Sequence, residues 1–164
     1  MPLKTAYIAL GGNLGDRFKQ MGAALEQLET EVGIKIVAVS PVYQNPAVGM
    51  GDAPDFLNAV VRIYTDRSPG ELLDCCLAIE TRLGRVRNGQ TTSRSIDLDL
   101  LLYENVHLDS PHLQIPHPRI QERDFVARPL MDLDPDLVIS GRSIQSILAA
   151  IPPGRMVLWP DSLR

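Results

Sequence analysis

Two aspartates at alternate positions, Asp97 and Asp99, interrupt an otherwise apolar run, RSIDLDLLLY. If this run is a β-strand, both carboxylates project to one face, while Ile96, Leu98 and Leu100 project to the other. The two positions are then about 6.6 Å apart, twice the rise per residue. Carboxylates at this spacing repel each other and favour a cation, and oxygen ligands on a rigid strand suit Mg²⁺. A strand with one solvent-exposed face explains the same alternation, because Asp-x-Asp alone is a weak motif.

The stretch between Glu80 and Asp97 is rich in arginine and contains no acidic residue and no lysine. Its four arginines are Arg82, Arg85, Arg87 and Arg94. Guanidinium groups bind phosphate oxygens in a bidentate manner, so arginines beside carboxylate-bound Mg²⁺ would form a polyphosphate clamp. The alternative is a solvated loop whose arginines pair with surface acids.

Two further stretches carry residues suited to binding. The proline-stiffened segment IPHPRIQERDF contains His117, Arg123 and Phe125. In it, His117 is a better candidate for a phosphate donor than for a general base, and a purely structural histidine is the alternative. In PDFLNAVV, Phe56 and Asn58 share one face of a predicted strand and would offer a stacking ring and a bidentate amide to a flat heterocycle. The alternative for this pair is a core Phe and an Asn that ends a turn.

The elements that position these residues follow from apolar periodicity and end signals. Predicted strands are Tyr7–Leu10, Ile34–Tyr43, Phe56–Tyr64 and Ser95–Tyr103. Predicted helices follow the Asp16 N-cap, run from Ser68 to Gly84, and cover Ser143–Ile151. Gly11–Gly15 predicts a tight turn between strand and helix, and Arg85–Ser93 a loop. The order β-α-β-β-α-β indicates an α+β, ferredoxin-like sandwich with a largely antiparallel sheet.

Composition limits the class of protein. A length of 164 residues with 45% hydrophobic content predicts one globular domain over residues 1–164. The net charge of -4 argues against a general nucleic-acid binder. No apolar stretch approaches the roughly 18 residues that span a bilayer, and the adjacent Cys75 and Cys76 indicate reduced packing residues. We therefore expect a cytoplasmic monomer that binds neither nucleic acid nor membrane.

Five motifs together resemble the 6-hydroxymethyl-7,8-dihydropterin pyrophosphokinases of folate biosynthesis. They are YIALGGNLGDR, NPAVGMGDAPDFLNAVV, IETRLGRVR, RSIDLDLLLY and IPHPRIQERDFVARPL. The resemblance covers about Ala6 to Ile139. It implies a ferredoxin-like α/β/α fold and transfer of the β,γ-pyrophosphoryl group of ATP to the pterin hydroxymethyl, with release of AMP.

The resemblance also implies a role for each candidate residue. Asp97 and Asp99 would bind two Mg²⁺ ions, and Arg85 and Arg94 would join them as catalytic residues. The ATP-binding set would be Glu80, Arg85, Arg87, Arg94, His117 and Arg123. The pterin-binding set would be Gly11, Asn45, Pro46, Ala47, Val48, Phe56, Asn58 and Phe125. Gln90–Ser93 replaces the Trp-Gly-Pro segment usual in the family, so we expect a ligand-dependent lid at Arg85–Ser93 that seals the pterin less well.

The implied mechanism is in-line attack by the pterin hydroxyl on the β-phosphorus of ATP, with no strong protein base required. Two alternatives belong to other classes. One is a non-catalytic ferredoxin-like module that binds a nucleotide or metabolite for regulation. The other is a different Mg²⁺-dependent nucleotidyl-transfer enzyme, which would keep the aspartates without needing a pterin site.

Overall fold

The computed structural model describes residues 3–12, 16–45, 55–84 and 96–163. Within these ranges the strands are β1 (Lys4–Gly12), β2 (Ile34–Val39), β3 (Tyr43–Asn45), β4 (Phe56–Thr65), β5 (Asp97–Tyr103), β6 (Leu108–Asp109), β7 (Gln114–Ile115), β8 (Val138–Ile139), β9 (Arg142–Ser143) and β10 (Val157–Leu158). The helices are α1 (Arg17–Thr30), α2 (Pro69–Gly84), α3 (Asp124–Leu133) and α4 (Ile144–Ala150), and Pro118–Gln121 forms a 3₁₀ turn.

The main sheet has the strand order β10-β3-β4-β1-β5, and β2 also pairs with β4. Every described pair in it is antiparallel. β2 and β3 pair with successive stretches of β4 and therefore act as one interrupted strand. The order from β5 through β1 and β4 to β2 and β3 is that of a ferredoxin-like fold, which confirms the predicted class.

The interruption between β2 and β3 corrects the prediction of a single strand over Ile34–Tyr43. Ser40 still makes two hydrogen bonds with Val60. Its backbone N–H donates to the Val60 carbonyl, and its hydroxyl accepts the Val60 N–H at 2.8 Å. Pro41 follows and has no N–H to donate to a ladder. The strand therefore breaks at this pair and resumes at Tyr43.

Helices cover both faces of the sheet and make three layers. On one face, β1 residues such as Ile8 and Leu10 pack in a core with Leu28 of α1 and Ile79 of α2. On the other, residues such as Tyr7, Val60 and Leu101 pack in a second core with Leu130 of α3 and Ile147 of α4. Apolar periodicity predicted α4 but gave no prediction of α3, which contains Pro129.

The predicted helix ends are confirmed. Asp16 caps α1 by accepting the Lys19 N–H at 3.1 Å. Ser68 and Glu71 accept each other's backbone N–H groups and form a capping box before α2. The predicted turn was wrong at Gly11 and Gly12, which continue β1; residues 13–15 lie outside the described ranges. None of the helices in the described ranges is long and apolar enough to cross a membrane.

Two glycines in different backbone conformations allow a matched test of the backbone. Gly33 has φ +83°, and a Cβ there would lie 2.3 Å from Asp66 Oδ1. We expect Gly33→Ala to lower the free energy of unfolding by about 1–2 kcal/mol, because alanine is strained in a left-handed backbone and its Cβ would displace the Asp66 carboxylate. Gly22 lies inside α1 with open space around its Cβ position. Gly22→Ala should stabilise by about 0.5–1 kcal/mol, and denaturant unfolding of both variants measures the contrast.

Candidate active site

The register of three strands places candidate residues in one row on one face of the sheet. Gly11 of β1 is opposite Asn58 of β4 on one side and Asp97 of β5 on the other. Asp99 is opposite Ala9, one step along the same face. Both aspartates are exposed, while Leu98 is buried in the core on the opposite face. The predicted alternation along this strand is confirmed.

The centre of the row requires a glycine because another side chain approaches it closely. A Cβ on Gly11 would lie 2.9 Å from Asn58 Oδ1. The Asn58 amide in turn donates to Asn45 Oδ1, and both asparagines are buried. The Asn58 amide is therefore held between β1 and β3.

A cavity of about 670 Å³ lies over this row. Its lining includes Gly11, Asn58 and Asp97 from the sheet, with Phe56 from the start of β4 and Phe125 from the start of α3. Two aromatic rings and a held amide beside a carboxylate are groups that bind a flat, polar heterocycle, and the volume is in the range of small-molecule sites. We call this space the first cavity.

A second cavity of about 300 Å³ lies on the other side of the aspartates and is lined by Glu80, His112 and His117. Asp97 and Asp99 line both cavities. The two carboxylates therefore lie at the boundary between them.

His117 has a defined donor atom. Its Nδ1 accepts the Arg119 N–H at 3.1 Å, so the neutral ring carries its proton on Nε2. Burial lowers the pKa of His117, and Arg119 and Arg123 act in the same direction against the raising effect of Asp99. At neutral pH this side chain is a neutral hydrogen-bond donor.

Glu80 holds the strand between the aspartates. It projects from α2, is 4% exposed, and its Oε2 accepts the Leu98 N–H at 2.7 Å. Leu98 lies between Asp97 and Asp99 on β5, an edge strand of the main sheet. The resemblance placed Glu80 on the nucleotide side; the structure places it both in the second cavity and on the backbone of this strand.

The remaining candidates divide into two groups. Arg123 lines the first cavity, where its guanidinium lies 5.5 Å from the centre of the Phe125 ring. The other group lies outside the described residues: Arg85, Arg87, Arg94, Pro46, Ala47, Val48 and the proposed lid at Arg85–Ser93. Arg155 and Met156, in the segment after α4, also line the first cavity and were not predicted from the sequence. No motif marked them.

Comparison with known proteins identifies the family. The family model of 7,8-dihydro-6-hydroxymethylpterin-pyrophosphokinase (HPPK) matches residues 7–135. The chain belongs to the HPPK family. A 2-amino-4-hydroxy-6-hydroxymethyldihydropteridine pyrophosphokinase of Methylorubrum extorquens is 43% identical over 148 residues, which cover 90% of this chain and 94% of that protein. The protein of the same name from Pseudomonas aeruginosa is 42% identical over 151 residues, which cover 92% of this chain and 93% of that protein.

Solved structures show the same fold. A crystal structure described as HPPK-DHPS in complex with substrates matches with a TM-score of 0.73 and 15% identity, covering 92% of this chain and 43% of that one. The wild-type HPPK-DHPS of Plasmodium falciparum matches with a TM-score of 0.69 and 15% identity, covering 90% of this chain and 44% of that one. The chain thus spans less than half the length of each of these chains.

We expect Glu80→Ala to lower the free energy of unfolding by about 1–3 kcal/mol and to lower pyrophosphokinase turnover, because the buried Leu98 N–H loses its acceptor. Glu80→Gln keeps an oxygen at this position and should restore much of both quantities. Glu26→Ala, at an exposed position of α1, is the control. Equal behaviour of the Ala and Gln variants would show that the hydrogen bond to Leu98 does not position the strand.

Proposed function

We propose that this chain transfers the pyrophosphoryl group of ATP to the hydroxymethyl group of 6-hydroxymethyl-7,8-dihydropterin and releases AMP. The observation that carries the proposal is the position of Asp97 and Asp99 at the boundary of two cavities. One is lined by aromatic rings and amides, and the other by Glu80 and histidines. Membership of the HPPK family supports the same reaction.

The first cavity is the proposed acceptor site. Phe56 and Phe125 can contact the faces of a pterin ring, and Asn58 and Asn45 can hydrogen-bond its polar edge. Gly11 leaves the base of the cavity and the Asn58 amide unobstructed, because a side chain at this position would contact Asn58. Pro46, Ala47 and Val48 remain part of this proposed site on the family resemblance.

The second cavity is the proposed ATP site. His117 presents Nε2–H as a neutral donor to phosphate oxygens, and Glu80 and His112 line the same space. On the family resemblance, Arg85, Arg87 and Arg94 complete this proposed site. Arg85 and Arg94 would bind the negative charge on the pyrophosphoryl group as it is transferred. Arg123, assigned to ATP by the resemblance, lines the proposed acceptor cavity.

Asp97 and Asp99 fit a magnesium site in their chemistry. Both are exposed carboxylates on one face of a strand, which is the hard-oxygen donor type that Mg²⁺ prefers. Among the described residues, no three His, Cys, Asp or Glu side chains group to hold a metal ion. The remaining ligands would therefore be water and triphosphate oxygens, and we propose two ions, as in the resemblance. Bound Mg²⁺ would neutralise the charge on the phosphate groups.

The chain's own contribution to the reaction is positioning. The acceptor is held on one side of the aspartate pair and ATP on the other, so the pterin hydroxyl can approach the β-phosphorus opposite the departing AMP. Alignment and charge neutralisation supply most of the catalysis in phosphoryl transfer. We assign no protein base.

We also propose that residues 1–164 form one domain, because both cores pack on the same sheet. The cytoplasmic location and the monomeric state stay predictions.

The reaction products test the proposal. Mixing the protein with ATP, Mg²⁺ and the hydroxymethyl dihydropterin should yield AMP and a pyrophosphorylated pterin in equal amounts, measured by chromatography. ADP as the nucleotide product would identify a single-phosphate transfer. ATP binding without any product would favour a regulatory module.

We expect Asp97→Ala and Asp99→Ala each to lower turnover by about 10³-fold or more, because each removes a metal ligand at the transferring group. Unfolding free energies should stay close to that of the unsubstituted protein, since both side chains are exposed. Asp74→Ala, at an exposed position of α2, is the control. Near-normal turnover of both site variants would exclude the aspartates as metal ligands for catalysis.

Phe56→Ala and Asn58→Ala should weaken pterin binding by about tenfold or more and change ATP binding little, because their contacts act on the heterocycle. Titration calorimetry with each ligand measures the difference. Tyr64→Ala, at an exposed position of the same strand, is the control. Equal losses for pterin and ATP would indicate a folding defect.

A further inference from the structure

The segment that follows α4 crosses the edge of the first cavity. Gly154, Arg155 and Met156 line this cavity together with Pro153. The segment lies beyond residues 7–135, where the family model matches. We refer to Pro153–Met156 as the strap.

The strap is attached at its near end to the helix that carries Phe125. The Gly154 N–H donates to Asp124 Oδ2 at 3.2 Å, and Asp124 is the first residue of α3. A Cβ on Gly154 would lie only 3.0 Å from the same carboxylate oxygen. The backbone of the strap therefore passes close to the Asp124 side chain, and a Cβ at Gly154 would require a small shift of the carboxylate or of the strap.

The far end of the strap is held at the opposite edge of the sheet. β10 begins directly after Met156 and pairs with β3, placing Val157 opposite Gln44. The backbone N–H of Trp159 donates to the Val42 carbonyl at 2.8 Å. The Trp159 ring packs against the core under α1. The Arg17 guanidinium lies 5.7 Å from the centre of the Trp159 ring. The strap is thus a short span between two attachments.

We propose that the strap is a wall of the acceptor cavity and that it sets the affinity for the pterin. Half-buried Met156 adds apolar surface beside the heterocycle. Within the described residues, Arg155 and Arg123 are the cations lining this cavity, against the carboxylates of Asp97, Asp99 and Asp124. Arg155 partly offsets that negative charge near the acceptor.

This inference rests on the proposed function, and its test separates the two. The ligands are 6-hydroxymethyl-7,8-dihydropterin and an ATP analogue with a methylene between the α- and β-phosphorus, where transfer would break the bond. We expect Met156→Ala to raise the dissociation constant of the pterin, measured with the analogue and Mg²⁺ present, by about three- to tenfold. The dissociation constant of the analogue should stay within about twofold. Val157→Ala, at an exposed neighbouring position outside the cavity lining, should change neither.

Gly154→Ala is a second variant that acts through the backbone. It should raise the KM for the pterin and leave the KM for ATP and the melting temperature nearly unchanged, because the added Cβ requires a small shift of the strap or of the Asp124 carboxylate at the cavity edge. Unchanged pterin affinity in both Met156→Ala and Gly154→Ala would overturn the strap as a wall. Equal losses for both ligands together with a lower melting temperature would show a structural role only and would also overturn it. If the unsubstituted protein neither binds nor converts the pterin, the proposed function fails as well.

Discussion

The register of β1 between β4 and β5 is the constraint on which the site depends. It brings Asn58, Gly11 and Asp97 side by side across three strands. A slip of one residue on either side would turn the polar side chain toward the core and an apolar one toward the cavity. The buried neighbours Leu10 and Leu98 prevent such a slip, because both fill the core under α1 and α2. The hydrophobic pattern on one face therefore fixes the chemistry on the other.

Helices cover the second face of the sheet only in part, and the first cavity lies where this cover ends. Tyr7, Val60 and Leu101 are buried against α3 and α4, while Asp97 and Asp99 on the same face are exposed. A simple ferredoxin-like sandwich would leave this whole face open to solvent. The added helices bury one end of it and bring Phe125 and the strap over the other.

Local patterns predicted the local structure well and the distant contacts poorly. The facing of Asp97 and Asp99, the Asp16 cap and the Ser68 capping box depend on neighbouring residues and were predictable from spacing. α3 was not predicted because Pro129 interrupts its apolar pattern, although tertiary packing stabilises the helix. Two features were not predictable from local patterns: the hydrogen bond between Glu80 and Leu98, and the position of the strap beside the cavity. Both bring together segments that are distant in sequence, and hydrophobic periodicity carries no information on such contacts.

The exposure of Asp97 and Asp99 bears on which state of the protein would need the proposed metal. At about 6.6 Å and with the dielectric constant of water, two unit charges repel by only about 0.6 kcal/mol. The fold can therefore tolerate both carboxylates in the ionised form without a bound cation. If the second cavity is the ATP site, as proposed, the demand for Mg²⁺ would rise when the triphosphate enters it, because several more negative charges would then lie beside the same pair. The proposed metal would therefore serve substrate binding rather than the stability of the fold.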